Sequence, residues 1–384
     1  MDSRTARFSH RTNDLKPSPV REILAVIDRP GMISFAGGLP AAESFVSMNL
    51  GTVPQEMLQY GASEGETALR QKVAASVNEL GLQCSPEQVL ILSGSQQGID
   101  LVAKLFIDPG TPIAVETPTY LAALQVFRFF GASYQSLDRA QTDFGLNQPQ
   151  TPSQATPAFA YVIPSFQNPT GYCYTEQERI ALADACDRHN VVLFEDDPYR
   201  DLVFDPCERT PVCAHVKRAS WVYQGSFSKI LAPGLRLGYL VASPDLVPYL
   251  TQLKQAADLH SNRVSQWAVL NFLNDPGYAA RLKNVAELYR RKRDDFSAAL
   301  ERHFSGLASW QIPAGGLFFW LKLNSSIDTE KLLPLAIERG VAFVPGKPFY
   351  ANDAESQGTL RLNFSHATRE QMDTGLAILA SMLK

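Results

Sequence analysis

From residue 88 onward the chain alternates short apolar runs with longer amphipathic stretches. Gln88–Ser93 (QVLILS) is an apolar run of strand length. The turn Gly94-Ser95-Gln96-Gln97-Gly98 follows it, and then the amphipathic IDLVAKLFI. Further strand-length runs fall at Pro112–Glu116, Phe159–Ile163, Val191–Asp196, Ser220–Gln224 and Leu237–Ala242. Helical patterns separate several of them. In one of these, Thr175–His189, Thr175 and Glu178 stand at the spacing of a capping box. Strands that are apolar on both faces and alternate with helices predict an α/β unit, a mostly parallel sheet with helices on either side. Ligands gather beyond the carboxyl ends of such strands. Ser95, Tyr120, Asn168 and Asp196 stand at such ends.

The flanks read differently. Ser18 to Leu24 (SPVREIL) has the form of a capped helix start, with Ser18 at the N-cap and Pro19 at N1. Ile33–Pro40 (ISFAGGLP) is a short apolar run whose two glycines allow close backbone approach, with a plain turn as the alternative. Residues 56–79 are helix-rich, with Glu66, Leu69, Val73 and Val77 at helical spacing behind a Gly/Ser loop. A long helix of mixed charge is expected over residues 274–300 and leads into a second unit from about residue 301. That unit has strand candidates at 317–323, 341–346 and 359–365 and a closing helix over Arg369–Lys384, a less regular mixture that predicts an α+β domain.

Composition narrows the field. At 45% hydrophobic and 19% charged, the 384 residues can build an ample core. A formal charge of −4 gives no expectation of nucleic-acid binding. No apolar run is long enough for a membrane span, and the polar N-terminus lacks the apolar stretch of a secretory signal. A cytoplasmic location is therefore expected. The cysteines at 84, 173, 186, 207 and 213 form no CxxC and read as reduced thiols. The histidines are scattered, so no metal site is expected.

The chemistry concentrates in Gly225 to Gly238, GSFSKILAPGLRLG. Lys229 is a candidate Schiff-base former, because an amine partly shielded from water keeps a usable neutral fraction. Ser226, Ser228 and Arg236 could grip a dianionic phosphate. A lysine beside a phosphate grip suggests pyridoxal 5'-phosphate; a surface lysine in a Gly/Ser loop is the alternative. That cofactor also needs a carboxylate at its ring nitrogen, donors at its phenolic oxygen and a cation for the substrate carboxylate. Asp196, ending an apolar strand, with Tyr199 three residues on, could meet the first two. Asn168 in PSFQNPTG could share the phenolic oxygen, although a proline-driven turn explains that motif equally. Tyr120 in ETPTY could stack on the ring, or be a core tyrosine. Arg361 in the apolar TLRLNF wants an anion, and a substrate α-carboxylate would supply one.

Taken together, YGASEGETALR, GSQQG, ETPTY, PSFQNPTG, EDDPY, SFSKILAPGLRLGY and LRLNF resemble the fold-type I, class I/II aminotransferases, in the family's order and over residues 60–364. The resemblance implies a large cofactor domain with a mostly parallel, seven-stranded sheet between helices, plus a smaller α+β domain. It places an N-terminal arm and substrate-lid helix at 1–45, packing with the small domain, the large domain at 46–285 and the small one at 286–384. Lys229 would form the internal aldimine with pyridoxal 5'-phosphate. Asp196 would pair with the ring nitrogen, with Asn168 and Tyr199 on the ring oxygen and Tyr120 on the ring face. Ser95, Gln96, Ser226, Ser228 and Arg236 would bind the phosphate, joined by Tyr60 from the other subunit of a homodimer. Arg361 would hold the α-carboxylate. SPVREIL followed by RPGMISFAGGLP is similar to the 2-aminoadipate, kynurenine and aromatic or branched-chain subgroup, from which it departs at Pro19 and at Ala41-Ala42. There Ser18 and Arg21 would touch the substrate side chain, and Gly38 would lie near its carboxylate.

The implied reaction moves the α-amino group of an L-amino acid to a 2-oxo acid, with 2-oxoglutarate expected, by a ping-pong route. A lyase, decarboxylase or racemase on the same scaffold is the first alternative. The second is an effector-sensing module of a transcription regulator, for which the chain ahead of Tyr60 is short to hold a DNA-binding domain.

Overall fold

A computed structural model describes residues 7–14, 29–45, 51–137, 155–352 and 356–383. In chain order its strands are β1 (Ile33–Ser34), β2 (Val89–Leu92), β3 (Pro112–Glu116), β4 (Ser133–Leu137), β5 (Phe159–Val162), β6 (Val192–Asp196), β7 (Trp221–Ser226), β8 (Gly238–Ala242), β9 (Ala308–Trp310), β10 (Phe318–Leu323), β11 (Val341–Ala342), β12 (Val344–Pro345) and β13 (Thr359–Asn363). Its α-helices are α1 (Thr67–Asn78), α2 (Ser95–Phe106), α3 (Leu121–Phe129), α4 (Glu176–His189), α5 (Val247–Asp258), α6 (Arg263–Leu273), α7 (Tyr278–Phe304), α8 (Thr329–Glu338) and α9 (Arg369–Ser381).

Seven strands form one sheet in the order β2-β8-β7-β6-β5-β3-β4. Only β8 runs against its neighbours, β2 and β7; the other pairs are parallel. The continuous apolar runs have a direct cause, since β2, β5 and β8 are buried along their whole length. One face packs on Leu101, Val102, Leu124 and Leu250 of α2, α3 and α5. The other packs on Val73, Leu182, Val269 and Phe296 of α1, α4, α6 and α7. β4 escapes the hydrophobic pattern because SYQSL sits at the sheet edge and exposes Ser133 and Ser136.

The C-terminal sheet is antiparallel, in the order β12-β13-β10-β9. β1 pairs in parallel with β11, and Phe35 bridges onward: its N–H donates to Ala342 O and its carbonyl accepts from Asn363. The stretch 33–41 is thereby held against the last hundred residues. The single strand expected over 341–346 is instead two, β11 and β12, in different sheets. The helix expected from Ile99 starts at Ser95, so the Gly/Ser turn is itself the first helical turn. The helix start expected at 18–24 lies outside the described residues. Among the described residues, no helix is long and apolar enough to cross a membrane, and no cluster of His, Cys, Asp or Glu could hold a metal ion.

Candidate active site

The carboxyl ends of β2, β3, β5, β6 and β7 open on one cleft of about 180 Å³. Ten of the residues singled out by sequence line it: Ser95, Gln96, Tyr120, Asn168, Asp196, Tyr199, Ser226, Ser228, Lys229 and Arg236.

Lys229 stands just past β7. Its Nζ donates to Gly38 O at 2.8 Å and lies 5.9 Å from the centre of the Tyr199 ring. Burial, and then the charges of Arg361 and Arg236, push the amine down to about 8. Gly38 thus meets the lysine through its carbonyl. A β-carbon there would press on Phe318 at 3.2 Å.

Asp196 ends β6 and is only 3% exposed. Its Oδ2 accepts from Tyr161 Oη at 2.8 Å and its Oδ1 from Gln224 Nε2 at 2.9 Å. Burial drives the carboxyl up to about 6, while these two hydrogen bonds pull the other way. Sheet register supplies both donors. Asp196 pairs with Gln224 across β6 and β7, and Tyr161 pairs with Phe194, two residues before Asp196 on the same face. Gln224 fits only because residue 98 is glycine: a β-carbon at Gly98 would overlap Gln224 Oε1.

Arg361 lies behind the cleft on β13, 3% exposed. Its Nη1 donates to Asn168 Oδ1 at 2.8 Å and its Nη2 to Ala36 O at 2.7 Å, while its buried Nε has no partner. The guanidinium sits over the rings of Phe318 and Phe349, 4.1 and 5.1 Å from their centres. Burial lowers it to about 10. The expected anion is therefore still wanted, because no carboxylate among the described residues pairs with it. Tyr199 is buried edge-on to Phe318. Tyr120 is pushed up to about 12 by burial, with its hydroxyl 3.5 Å from Gln96 Oε1.

The start of α2 forms a cup. Its N-cap, Gly94, has no side chain to satisfy the first amides, so they remain available to an anion. Gly94 has φ +84°, and a β-carbon there would strike the Arg236 guanidinium; one at Gly238 would come within 2.8 Å of the Ser95 nitrogen. Arg236 is itself left-handed, at φ 49° and ψ 49°. Ser226 Oγ accepts from the Ser228 N–H at 3.1 Å. A buried group that the motifs did not reveal braces this cup from below. Lys254, with no exposed surface, donates to Asp258 Oδ1 at 2.8 Å, Ser261 Oγ at 3.0 Å and Gln97 Oε1 at 3.1 Å. Gln97 Oε1 also accepts from the Ser93 N–H, and Gln97 Nε2 donates to Asp258. Tyr161 and Gln224 were missed in the same way. The one signal for all of them is a polar residue inside an apolar run or helix face.

Tyr60 is not brought to the cleft of its own chain. It is 77% exposed and packs edge-on against His260. Ser18 and Arg21 lie outside the described residues. The donor set fits pyridoxal 5'-phosphate: a buried carboxylate without a cation suits the ring nitrogen, uncapped helix amides with Arg236 suit a phosphate, and a depressed amine suits an aldehyde.

Comparison with known proteins points the same way. Residues 51–379 match the family model described as aminotransferase class I and II. The 2-aminoadipate transaminase of Thermus thermophilus is 36% identical, over 98% of this chain and 96% of that protein. The aromatic-amino-acid aminotransferase 1 of Thermococcus litoralis is 34% identical, over 98% of this chain and 94% of that protein. A crystal structure of an alpha-aminoadipate aminotransferase from Thermus thermophilus, complexed with N-(5'-phosphopyridoxyl)-L-leucine, has a TM-score of 0.86 at 35% identity. It covers 99% of this chain and 98% of that one.

Proposed function

Because this chain belongs to the class I and II aminotransferases, we propose that it moves the α-amino group of an L-amino acid to a 2-oxo acid, 2-oxoglutarate first among the acceptors, in two half-reactions on one site. It is a transaminase that depends on pyridoxal 5'-phosphate. The observation that carries the site assignment is a charge mismatch. Asp196 and Lys229 line the cleft and Arg361 lies behind it, and none of them has an ion-pair partner among the described residues. Each is left to a charge or carbonyl that comes from outside the chain.

When bound, the cofactor supplies an electron sink for charge left at the substrate α-carbon. The residues do the rest. Asp196, kept in place by Tyr161 and Gln224, holds a proton on the ring nitrogen. Lys229 Nζ would hold the cofactor covalently, and as a free amine it would take the α-proton and return it as general base and acid. Its depressed pKa leaves a neutral fraction for that task near pH 7. Arg361 holds the α-carboxylate through donors that include the unpartnered Nε. Asn168 turns its Oδ1 to Arg361, which leaves Nδ2 for the ring oxygen beside Tyr199. The α2 amides at Ser95 and Gln96, Ser226, Ser228 and Arg236 take the phosphate, and Tyr120 covers the ring.

The relatives are named for 2-aminoadipate and aromatic amino acids, and these are the donors expected here. Tyr60 completes the phosphate cup of a second copy in a homodimer. The division at 1–45, 46–285 and 286–384 agrees with the β1–β11 pairing. A cytoplasmic location agrees with the five free thiols. Borohydride reduction of the cofactor-loaded protein, followed by peptide mapping, tests the assignment. The expected outcome is one phosphopyridoxyl label on Lys229; a label on any other lysine overturns it.

A further inference from the structure

Two thiols beside the site have no part in amino transfer. Cys173 belongs to the segment after β5 that carries Asn168, and Cys207 to the segment between β6 and β7. Cys173 Sγ donates to Glu208 O at 3.1 Å, one residue from Cys207, and the Cys207 thiol hydrogen-bonds to it. Arg179 Nη2 lies 3.7 Å from the same sulfur. Arg179 projects from α4 and is wholly buried. It also donates to Pro164 O at 2.9 Å, Ser165 Oγ at 3.1 Å, Glu208 O at 3.0 Å and Thr210 O at 3.0 Å. One guanidinium thus joins both segments and presents positive charge to one sulfur of the pair. The nearest carboxylate to it is that of Glu195, 4.0 Å away and equally buried.

The two sulfurs are made unequal by these contacts. The Cys207 hydrogen bond, and then the charge and hydrogen bond of Arg179, bring Cys173 down to about 7 against the effect of burial. Cys207 is raised, by Cys173 first. Elsewhere burial pushes thiols up: Cys84 to about 11 and Cys186 to about 12. A thiol that ionises more readily, giving up its proton and its hydrogen bond to Glu208 O, beside one that ionises less readily, both half-buried rather than sealed, is the arrangement of an attacking and a resolving cysteine.

We infer that Cys173 and Cys207 form a reversible oxidation site at which a hydroperoxide oxidises Cys173 and Cys207 closes a disulfide. The Cys173 thiolate attacks one peroxide oxygen. The O–O bond breaks, the sulfur is oxidised to a sulfenic acid, and the other oxygen leaves as hydroxide or alkoxide. Cys207 sulfur then attacks Cys173 sulfur; the S–S bond forms, the S–O bond breaks, and the departing hydroxide takes the Cys207 proton as water. Two electrons pass from the thiols to the peroxide. A dithiol reductant reverses the change by exchange. The bond would fasten the Asn168 segment to the 205–210 segment, covalently reinforcing the link that Arg179 makes by hydrogen bonds. The inference is independent of the amino-transfer reading.

The test uses the cofactor-loaded protein, reduced, desalted and treated with a small excess of hydrogen peroxide. The expected result is loss of two alkylatable thiols and an unreduced peptide linking Cys173 to Cys207, both reversed by dithiothreitol. Cys207→Ser is expected to stop at a sulfenic acid on Cys173, captured by dimedone, and Cys173→Ser to give no disulfide. Five thiols that all stay alkylatable, or linkage through Cys84, Cys186 or Cys213, would overturn the inference. The wild-type map decides on its own should a variant fail to fold.

Discussion

Lys229 rests against the Gly38 carbonyl instead of a carboxylate, so no anion among the described residues offsets the cost of burying its charge. With burial and two arginines nearby, the amine falls to about 8. Between that value and the ordinary lysine range, the unfolded chain holds a proton that the folded chain has lost. This group's contribution to stability is therefore present at high pH and lost as pH falls through about 8. Cofactor capture needs the neutral amine, so its rate in the cofactor-free protein should rise about tenfold per pH unit below that point and level off above it. Absorbance stopped-flow from pH 6 to 10 checks this. Asp196 has the opposite sign. Raised to about 6, it adds stability that is complete below the ordinary aspartate value and lost as pH climbs through about 6. Asp196→Asn should thus leave the cofactor-free protein at least as stable at pH 8, by thermal melts, while lowering turnover on the order of a hundredfold or more. The gathering of Lys229, Asp196, Asn168 and Tyr199 at one cleft was legible in the sequence because short motifs place them at or just past strand ends, and Arg361 stood out as a guanidinium inside an apolar strand. Tyr161, Gln224 and Lys254 were not, since their partners come through sheet register and helix packing from residues that local motifs do not connect.

Among the elements, α2 and α4 separate what local sequence controls from what packing controls. The capping box of α4 is present as its spacing predicts: Thr175 Oγ1 accepts from the Glu178 N–H, and the Glu178 carboxylate accepts from the Thr175 N–H. Thr175→Ala should cost about 1 kcal/mol in urea unfolding and leave cofactor affinity unchanged. Gly98 in α2 gives the contrary case. Alanine there would ordinarily favour the helix by roughly 0.5–1 kcal/mol, yet its β-carbon would displace Gln224 from Asp196. Gly98→Ala is expected to keep the helix content seen by circular dichroism and to weaken cofactor binding by about tenfold or more. The pattern missed β4, whose polar edge carries no alternation, and it merged β11 with β12. Those two share one apolar run, VAFVP, but β1 claims the first half and β13 the second.

At the scale of the molecule, residues of one chain line the cleft, and Tyr60 stands away from it. That tyrosine and Leu58 are 77% and 72% exposed, beside the loop that Arg263 ties to Glu66 and to the Gln59 carbonyl. A second copy covering this face would bring the tyrosine to a neighbouring phosphate cup. Sedimentation should show a dimer, and Tyr60→Phe should preserve it while raising the cofactor dissociation constant roughly tenfold, the value of one hydrogen bond to a charged group. The α/β architecture was legible from alternating runs alone, whereas the expectation of a dimer comes only from family resemblance, because one chain's pattern does not say what covers an exposed tyrosine. The central claim is amino transfer through Lys229, and a single turnover without acceptor tests it most directly. The loaded protein is given 2-aminoadipate or an aromatic amino acid, and products are counted against active sites. The account predicts one 2-oxo acid per site, no free ammonia, and no product from Lys229→Ala. Release of ammonia, turnover that continues without an acceptor, or an active Lys229→Ala variant would contradict it.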